Sequence, residues 1–512
     1  MLSFQCFSNN RSRALEAVVN HLFFPLLILG CSCSAIADDW PQFRGPNCSG
    51  ISQGTKPLPV EFSLTDSEKK NVLWSQVLGD SIGCPVVAAG RVFTSAMVDE
   101  ETVGLYGFDA KTGKRLWERT WKTGKLPEVH KTNSHASTTP AADAERVYFY
   151  FSTVGLVTVD AKSGDDVWHK KLPTPFFVFK WGPGMSPVLY KDLVLFCQDD
   201  DLYPAFYALD KRTGDLRWKD ERRDMAVNYS HPVVCTTDIG DEIDVGGTGI
   251  LVGYDPQTGK RLWKAKTLLR NIKTTPVVED GIIYISLQSG GIANQWLATA
   301  DRADTGNNDG KLSKEEMQAF VGEQKIPEEF FRRTFDRGDL NKDGVLQGQE
   351  LDIAFLDPEN FAGAKFDDEN PADEYILAVK GGGRGDVTET HVLWKHPTKY
   401  TDHIVSPLVL DGRMFLLKGG GITTVFETKS GSSARKVQRI PNTSNYFASP
   451  VAGDGKIYVA GENGVVVVLK NSPDYEVLAE NDLGDDILGT PAIADGCLFI
   501  RTRTKLICVG EK

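Results

Sequence analysis

Oxygen-bearing side chains recur at the spacing of a metal-binding loop near residue 340. Carboxylates or an amide stand at positions 1, 3 and 5 of a twelve-residue segment, and a glutamate that can supply two oxygens closes it at position 12. Gly344, at position 6, allows the sharp bend that wraps such a loop around an ion. Hard oxygen donors in this pattern suit calcium. The predicted ligands are Asp339, Asn341, Asp343, Val345 through its carbonyl, Gln347 directly or through water, and Glu350.

A loop of the same frame lies 34 residues earlier, and the two together predict a paired EF-hand, in which we call the earlier loop the first loop and residues 339–350 the second loop. A threonine stands where the first carboxylate is expected, which weakens the predicted site unless the adjacent Asp304 reaches in. Helical composition between the loops, with phenylalanines on one face, predicts two hands packed as one lobe over residues 297–356. The ligands of this loop would be Thr305, Asn307, Asp309, Lys311 and Glu316.

Around this segment, a turn motif repeats through the chain. An Asp is followed four residues later by Gly and eight residues later by Trp. Asp and Thr or Ser side chains bond the backbone of a tight turn, and Gly accepts a positive φ. The Trp on the next strand offers a large apolar face for packing between sheets. The four copies run from Asp109 to Trp117, Asp160 to Trp168, Asp210 to Trp218 and Asp255 to Trp263.

A proline that opens each unit extends this repeat to eight copies. Each proline precedes two apolar runs, and the spacing is regular except where extra residues between Gly290 and Ala372 lengthen the fifth unit. Each unit reads as four short strands, which predicts an all-β, eight-bladed propeller with a small α-helical EF-hand insertion in blade five. The prolines are Pro85, Pro140, Pro187, Pro232, Pro276, Pro407, Pro450 and Pro491.

The two ends of the chain are expected to close the ring. The last unit lacks its fourth strand, and the segment from Val72 to Trp74 can supply it. The propeller would then span residues 72–512, after an N-terminal extension over 38–71. The sixth unit is eroded, because Arg435 stands where Trp is expected.

The proline and turn motifs together resemble the PQQ-like repeat propellers, a superfamily that includes quinoprotein dehydrogenases and BamB-like propeller lipoproteins. Similar exported propellers share the opening from Trp40 to Pro46 and the stretch from Gly385 to Trp394. The resemblance implies the fold, and it implies pyrroloquinoline quinone (PQQ) only if the chain is a dehydrogenase. Alcohol dehydrogenases of this kind stack the quinone between a Trp and a disulfide of adjacent cysteines. This sequence has no adjacent cysteines, and whether Cys497 and Cys508 bond is left open.

The N-terminus predicts export. Basic residues, an apolar stretch and a small-residue motif ending at Ala37 are typical of a signal peptide over residues 1–37. A rival lipoprotein box would leave a lipid anchor on Cys31, and both alternatives stay open. Either places the protein in the periplasm or outside the cell, with no transmembrane span after signal cleavage. The net charge of −12 argues against nucleic acid as a partner.

Polar and aromatic residues before the prolines predict a ligand site at one mouth of the propeller channel, with loop solvation as the alternative. The insertion should overhang this face. We therefore expect a non-catalytic binding scaffold that takes a protein or carbohydrate ligand at its calcium-bearing face. The alternative is a PQQ-dependent dehydrogenase acting on an alcohol or sugar. The candidate mouth residues are His135, Trp181, His231, Lys273 and His403.

Overall fold

A computed structural model describes most of the chain after the predicted signal peptide. The signal-peptide and lipid-anchor predictions, including Cys31, lie outside the described residues. Within the described part of the chain, none of the helices is both long and apolar enough to cross a bilayer. The described ranges are 38–65, 69–178, 180–225, 227–267, 272–288, 293–302, 306–324, 326–355, 374–402 and 404–511.

Eight antiparallel sheets form the blades of a β-propeller, as the repeat predicts. Each innermost strand follows one of the landmark prolines. Blades one to four consist of Val86–Ala88, Arg91–Asp99, Thr102–Asp109 and Arg115–Lys122; Ala141–Ala142, Arg146–Phe151, Gly155–Asp160 and Asp166–Lys170; Val188–Tyr190, Leu193–Gln198, Ala205–Asp210 and Leu216–Glu221; and Val233–Thr237, Gly240–Gly247, Ile250–Tyr254 and Arg261–Ala265.

The remaining blades follow the same order, and the two chain ends share the last one. Val72–Val77 pairs with Lys505–Gly510 and becomes the outer strand of blade eight, which confirms the predicted closure. Gly385–Asp386 adds a short parallel strand to the edge of blade four. Blades five to eight otherwise consist of Val277–Glu279, Ile282–Gln288, Glu374–Lys380 and Val392–Pro397; Leu408–Leu410, Arg413–Lys418, Ile422–Glu427 and Gln438–Arg439; Val451–Gly453, Lys456–Ala460, Val465–Lys470 and Val477–Asp482; and Ala492–Ala494, Cys497–Arg501 and Lys505–Gly510.

Tryptophans lock neighbouring blades through the repeated turn. At Gly164, which has φ of +75°, an added Cβ would lie 2.7 Å from the indole of Trp117 in the preceding blade. The Trp117 Nε1–H also donates to the carbonyl of Ala161 at 3.1 Å. The same contact recurs between other blades. In blade six, the guanidinium of Arg435 instead lies 4.9 Å from the Tyr475 ring centroid of the next blade, so a cation–π contact replaces the missing Trp.

The first described segment crosses the central channel, and we call residues 38–52 the plug. It bonds to the inner strand or the landmark proline of six blades and positions the opening motif, so that Trp40 and Arg44 are fully buried. A short 3₁₀ turn, Pro46–Cys48, bends it. The plug pairs are Trp40 with Val87, Pro41 with Ala142, Gln42 with Leu189, Asn47 with Val234, Arg44 with Pro407 and Ser52 with Ala452.

Between the second and third strands of blade five lies a helical insertion, residues 293–355. Its two loops are joined by a two-residue sheet in which Leu312 pairs with Leu346. Trp296 is fully buried at its centre, against Phe330 and Phe355. Its elements are Ala293–Trp296, the π-helix Leu297–Asp301, Lys314–Gln324, Glu328–Gly338 and Gln349–Phe355, with strands Leu312–Ser313 and Val345–Leu346; two further short helices, Thr388–His391 and Gly419–Gly421, lie in blade loops.

Candidate functional site

A belt of hydrogen bonds surrounds the channel mouth at the residues that precede the landmark prolines. In seven of the eight steps, the backbone N–H of one residue donates to the side chain of its counterpart in the next blade, at 2.9 to 3.4 Å. Ser, Thr or Cys supplies the acceptor each time, a signal present in the sequence that the proline pattern alone did not reveal. The links join Cys84 to Thr139, Thr139 to Ser186, His231 to Thr275, Thr275 to Ser406, Ser406 to Ser449, Ser449 to Thr490 and Thr490 to Cys84.

Inside this belt lies a cavity of about 230 Å³, which we call the channel-mouth pocket. Three of the five predicted mouth residues, Trp181, His231 and Lys273, line it together. The Lys273 Nζ lies 5.0 Å from the Trp181 ring centroid. A cation, an aromatic face and a rim of hydroxyls thus meet in one concave site.

The pocket walls control the charge of its two basic residues. Burial lowers the pKa of Lys273 to about 8, with Asp402 opposing the shift. Burial lowers the pKa of His231 to about 3, aided by Arg44, so this imidazole is neutral. Its Nδ1 lies 3.1 Å from the Thr275 hydroxyl, and its buried Nε2 has no hydrogen-bond partner among the described residues. Lys273 is therefore the cationic group that a ligand in the pocket would meet.

Phe43 of the plug forms part of the pocket wall and stacks on His231 with ring centroids 4.4 Å apart. The opening motif is recognisable in the sequence only as a family feature, and its spacing gives no sign that it reaches the pocket. His135 does not line the pocket among the described residues; it is half-buried, and burial lowers its pKa. The prediction for His403 lies outside the described residues.

The segment Phe176–Val178 connects the pocket to the helical insertion. Phe176 packs against Phe330 of the insertion, with centroids 6.3 Å apart. Its neighbour Phe177 stacks on Tyr229, which lines the pocket, at 5.6 Å. The loop that follows Gln198 anchors this segment.

Two carboxylates of that blade-three loop hold the connecting segment in place. The Phe176 N–H donates to Asp200 at 2.7 Å, and the Val178 N–H donates to Asp201 at 2.9 Å. Burial raises the pKa of Asp200 to about 7, while its backbone donors oppose the shift. Arg333 of the insertion donates to the carbonyl of Leu202 in the same loop. The insertion therefore packs on the pocket-bearing face, against blade three.

The second predicted calcium loop is curled around its acidic side chains. Glu350 accepts the N–H groups of Leu340 and Gln347, and the Gly344 N–H donates to Asp339 Oδ2 at 3.1 Å. The other oxygen of Asp339 is buried and has no hydrogen-bond partner among the described residues. Asn341, Asp343 and Val345 lie in the same turn: the Asp343 N–H donates to Asn341, and the Val345 N–H donates to Asp343. An orphaned carboxylate oxygen of this kind fits a cation ligand.

The first loop has the same geometry, but with a different first residue. The Gly310 N–H donates to Asp301 Oδ2 at 3.0 Å, the bond that Gly344 makes to Asp339 in the second loop. Glu316 accepts N–H groups from Asn307 and Ser313, as Glu350 does in its loop.

Asp301, fully buried at the end of the π-helix, thus accepts the bond that the first residue of the second loop accepts from its glycine. Thr305 and Asp304 themselves lie outside the described residues. Asp309 and Lys311 keep their predicted turn, where the Lys311 N–H donates to Asp309 at 2.9 Å.

Cys497 and Cys508, whose disulfide state the sequence leaves open, do not form a disulfide. Cys497 and Cys508 lie on adjacent strands of blade eight, and the neighbouring Cys508 lowers the pKa of Cys497. All six described cysteines are free.

Comparison with solved structures shows similarity to BamB from Moraxella catarrhalis (TM-score 0.49, 12% identity, 86% of this chain and 97% of that chain). It also shows similarity to the computationally designed Ika8 protein (0.50, 11%, 86% and 99%) and to a europium-containing methanol dehydrogenase (0.46, 12%, 92% and 89%). At this identity, the likeness to Ika8 bears on the fold alone. No curated protein sequence matches the chain.

A family model described as outer membrane protein assembly factor BamB matches residues 61–177 and 181–329. These residues cover the first half of the ring and its Asp-Gly-Trp turns. The chain belongs to this family of PQQ-type repeat β-propellers.

Proposed function

We propose that the protein is an exported, calcium-binding scaffold that takes a protein or carbohydrate ligand at the channel-mouth pocket. One observation carries this proposal: Phe176–Val178 contacts the helical insertion on one side and reaches the pocket wall through Tyr229 on the other. Calcium in the insertion would stiffen the surface that supports the pocket, so that the insertion acts as a rim of the binding face.

The pocket chemistry favours an anionic group on the ligand. Lys273 is the cationic side chain among the described pocket residues, and Trp181 offers a flat face beside it. A carboxylate would neutralise Lys273 inside a poorly hydrated site, while an apolar ring face would stack on the indole. An acidic sugar or an acidic peptide segment has both features.

Binding to arrays of acidic oligosaccharides and acidic peptides tests this proposal. We expect saturable binding in calcium that falls at least tenfold in Lys273→Met. Lys395→Met is the matched control, because Lys395 is also a poorly solvated lysine but lies on the outer strand of blade five. Equal loss in both variants, or binding unaffected by either, would contradict the pocket assignment.

We propose that the helical insertion is an EF-hand pair whose two loops each bind one calcium ion, with Asp301 as the first ligand of the first loop. Titration calorimetry should give two sites in the wild type. Glu350→Gln should weaken one of them more than tenfold, because the substitution removes a charge and the two-oxygen grip. Glu315→Gln, at an exposed position of the first loop that is not a predicted ligand, should change neither. Unaltered binding in Glu350→Gln would contradict the assignment.

The described pocket residues offer few of the metal ligands that the dehydrogenase alternative requires. The described pocket residues include no Asp or Glu that could hold a calcium ion against a quinone. Their single cysteine, Cys84, accepts the Thr490 N–H at 3.1 Å instead of forming a disulfide. These residues do not fit PQQ as the quinoprotein resemblance implies it. Addition of PQQ and calcium, followed by a dye-linked assay with alcohols and sugars, should give no turnover; saturable quinone binding with turnover would overturn the scaffold proposal.

Export is proposed from the N-terminal sequence. Mass spectrometry of the secreted chain should find an N-terminus at Asp38 or a lipidated Cys31, which decides between the two cleavage patterns. A chain that retains residues 1–37 would contradict export by either route.

A further inference from the structure

Three metal-ligating side chains meet inside blade four, far along the chain from the calcium loops. Cys235 lies on the inner strand directly opposite Glu242 on the next strand, and Asp244 follows two residues later on the same face. The Cys235 Sγ and one carboxylate oxygen each from Glu242 and Asp244 all lie within 4.8 Å of one another. All three residues are buried.

The strand register shows how unusual Asp244 is. It pairs with Val233, the residue directly after the landmark proline. In the other seven blades, the residue paired with the same position is large and apolar. These counterparts are Phe93, Tyr148, Leu195, Tyr284, Phe415, Tyr458 and Phe499.

Asp244 lacks a hydrogen-bond partner among the residues that the structure describes. It is fully buried, and neither of its carboxylate oxygens has a hydrogen-bond partner among the described residues. Glu242 accepts the Gly382 N–H at 2.8 Å, so it is positioned but adds a second negative charge. Burying two ionised carboxylates together is strongly unfavourable unless the pair takes up protons or a cation. A bound cation removes this cost.

The backbone beside the cluster packs closely against two of its side chains. An added Cβ at Gly381 would lie 2.7 Å from both the Cys235 Sγ and Glu242 Oε1, so only glycine fits against the two ligands. Gly381 and Gly382 also line an open cleft of about 710 Å³ at the seam between blades four and five, together with His391. Gly381 therefore borders both the cleft and the cluster, while none of the three cluster residues lines the cleft itself.

We propose that Cys235, Glu242 and Asp244 form a further metal site, separate from the two calcium loops, which binds one borderline-soft divalent cation such as Zn²⁺. A thiolate with two carboxylates suits Zn²⁺ and does not suit calcium, which takes oxygen ligands. Water from the cleft would complete the coordination. Binding releases the thiol proton, and any proton held by the carboxylates, to solvent.

Cobalt is the probe for this site, because a Co²⁺–thiolate bond gives a near-ultraviolet charge-transfer band. The full chain is titrated with Co²⁺ in excess calcium, which keeps the calcium loops filled. We expect one equivalent of Co²⁺ to produce the band and Zn²⁺ to remove it. The insertion contains no cysteine, so failure of the calcium proposal would leave this result unchanged.

Substitutions identify which thiol binds the Co²⁺ that gives the band. Cys235→Ser should abolish it, and Cys508→Ser, a buried thiol in blade eight, should leave it intact. Asp244→Leu introduces the residue that blade three has at this register position, so this variant should fold at least as stably as the metal-free wild type. It should also lose the rise in melting temperature that Zn²⁺ gives the wild type. Absence of the band in the wild type, or its loss in Cys508→Ser but not in Cys235→Ser, would overturn the proposal.

Discussion

Replacing Lys273 by methionine should stabilise the protein at neutral pH. Burial lowers the Lys273 pKa from its ordinary 10.5 to about 8. Because each factor of ten in the proton equilibrium is worth about 1.4 kcal/mol, keeping this ammonium charged costs the fold about 3 kcal/mol at pH 7. Methionine fills a similar volume without the charge, so the variant should gain about that amount.

The sign of the pH dependence follows from the same shift. Between pH 8 and 10.5, the unfolded chain holds a proton on this lysine and the folded chain does not, so wild-type stability rises with pH. The cost of keeping Lys273 charged is absent above pH 10.5, grows as the pH falls from 10.5 to 8, and is fully present below pH 8. Urea unfolding at pH 7, 8, 9 and 10 should therefore show the variant's advantage shrinking steadily.

Lys395→Met is the control for a poorly solvated lysine that lies outside the pocket. Burial also lowers the pKa of Lys395 to about 8, so its replacement should produce a similar stability profile. Only Lys273→Met should affect ligand binding. A Lys273→Met protein no more stable than the wild type at pH 7, or an advantage that does not change with pH, would refute the reasoning. A destabilising charge kept in a concave site is typical of function.

Three further predictions concern the fold around the site. Gly164→Ala should lower the free energy of unfolding by about 2 kcal/mol more than Gly124→Ala, since both glycines have positive φ but only Gly164 meets an indole, that of Trp117; equal losses in urea would contradict the packing argument. Arg222→Met should lower the free energy of unfolding by about 3–5 kcal/mol, measured in the same way, because it leaves the buried carboxylate of Asp199, 2.8 Å from the Arg222 guanidinium, without its ion-pair partner; a neutral effect would contradict this. Phe176→Ala should speed proteolysis within the helical insertion, and unchanged cleavage rates would show that this contact does not hold it.

The repeat made the ring predictable because each blade repeats one physical unit. The Asp-capped turn and its glycine with positive φ depend on residues close in sequence. The Trp that packs over the next blade's turn stands at a fixed spacing from them, as from Asp109 to Trp117. Closure by Val72–Val77 could be predicted because one unit lacked a strand. Local chemistry of this kind is visible in spacing alone.

Contacts between distant segments were not predictable in the same way. Phe43 reaches His231 because the plug crosses the channel, and no motif encodes that path. Asp301 enters the first loop through a longer connection than the motif allows. By contrast, Asp244 could have been recognised by aligning the eight repeats, because a carboxylate replaces an aromatic or aliphatic residue there.

Hydrogen exchange with and without calcium tests the link between the insertion and the pocket most directly. The amides of Phe176 and Val178 donate to Asp200 and Asp201, and the insertion packs on this segment. Calcium should slow exchange in the insertion and at these two amides, while the strand Val465–Lys470 across the ring stays unchanged. Protection confined to residues 293–355 would contradict the proposal that the calcium loops support the binding face.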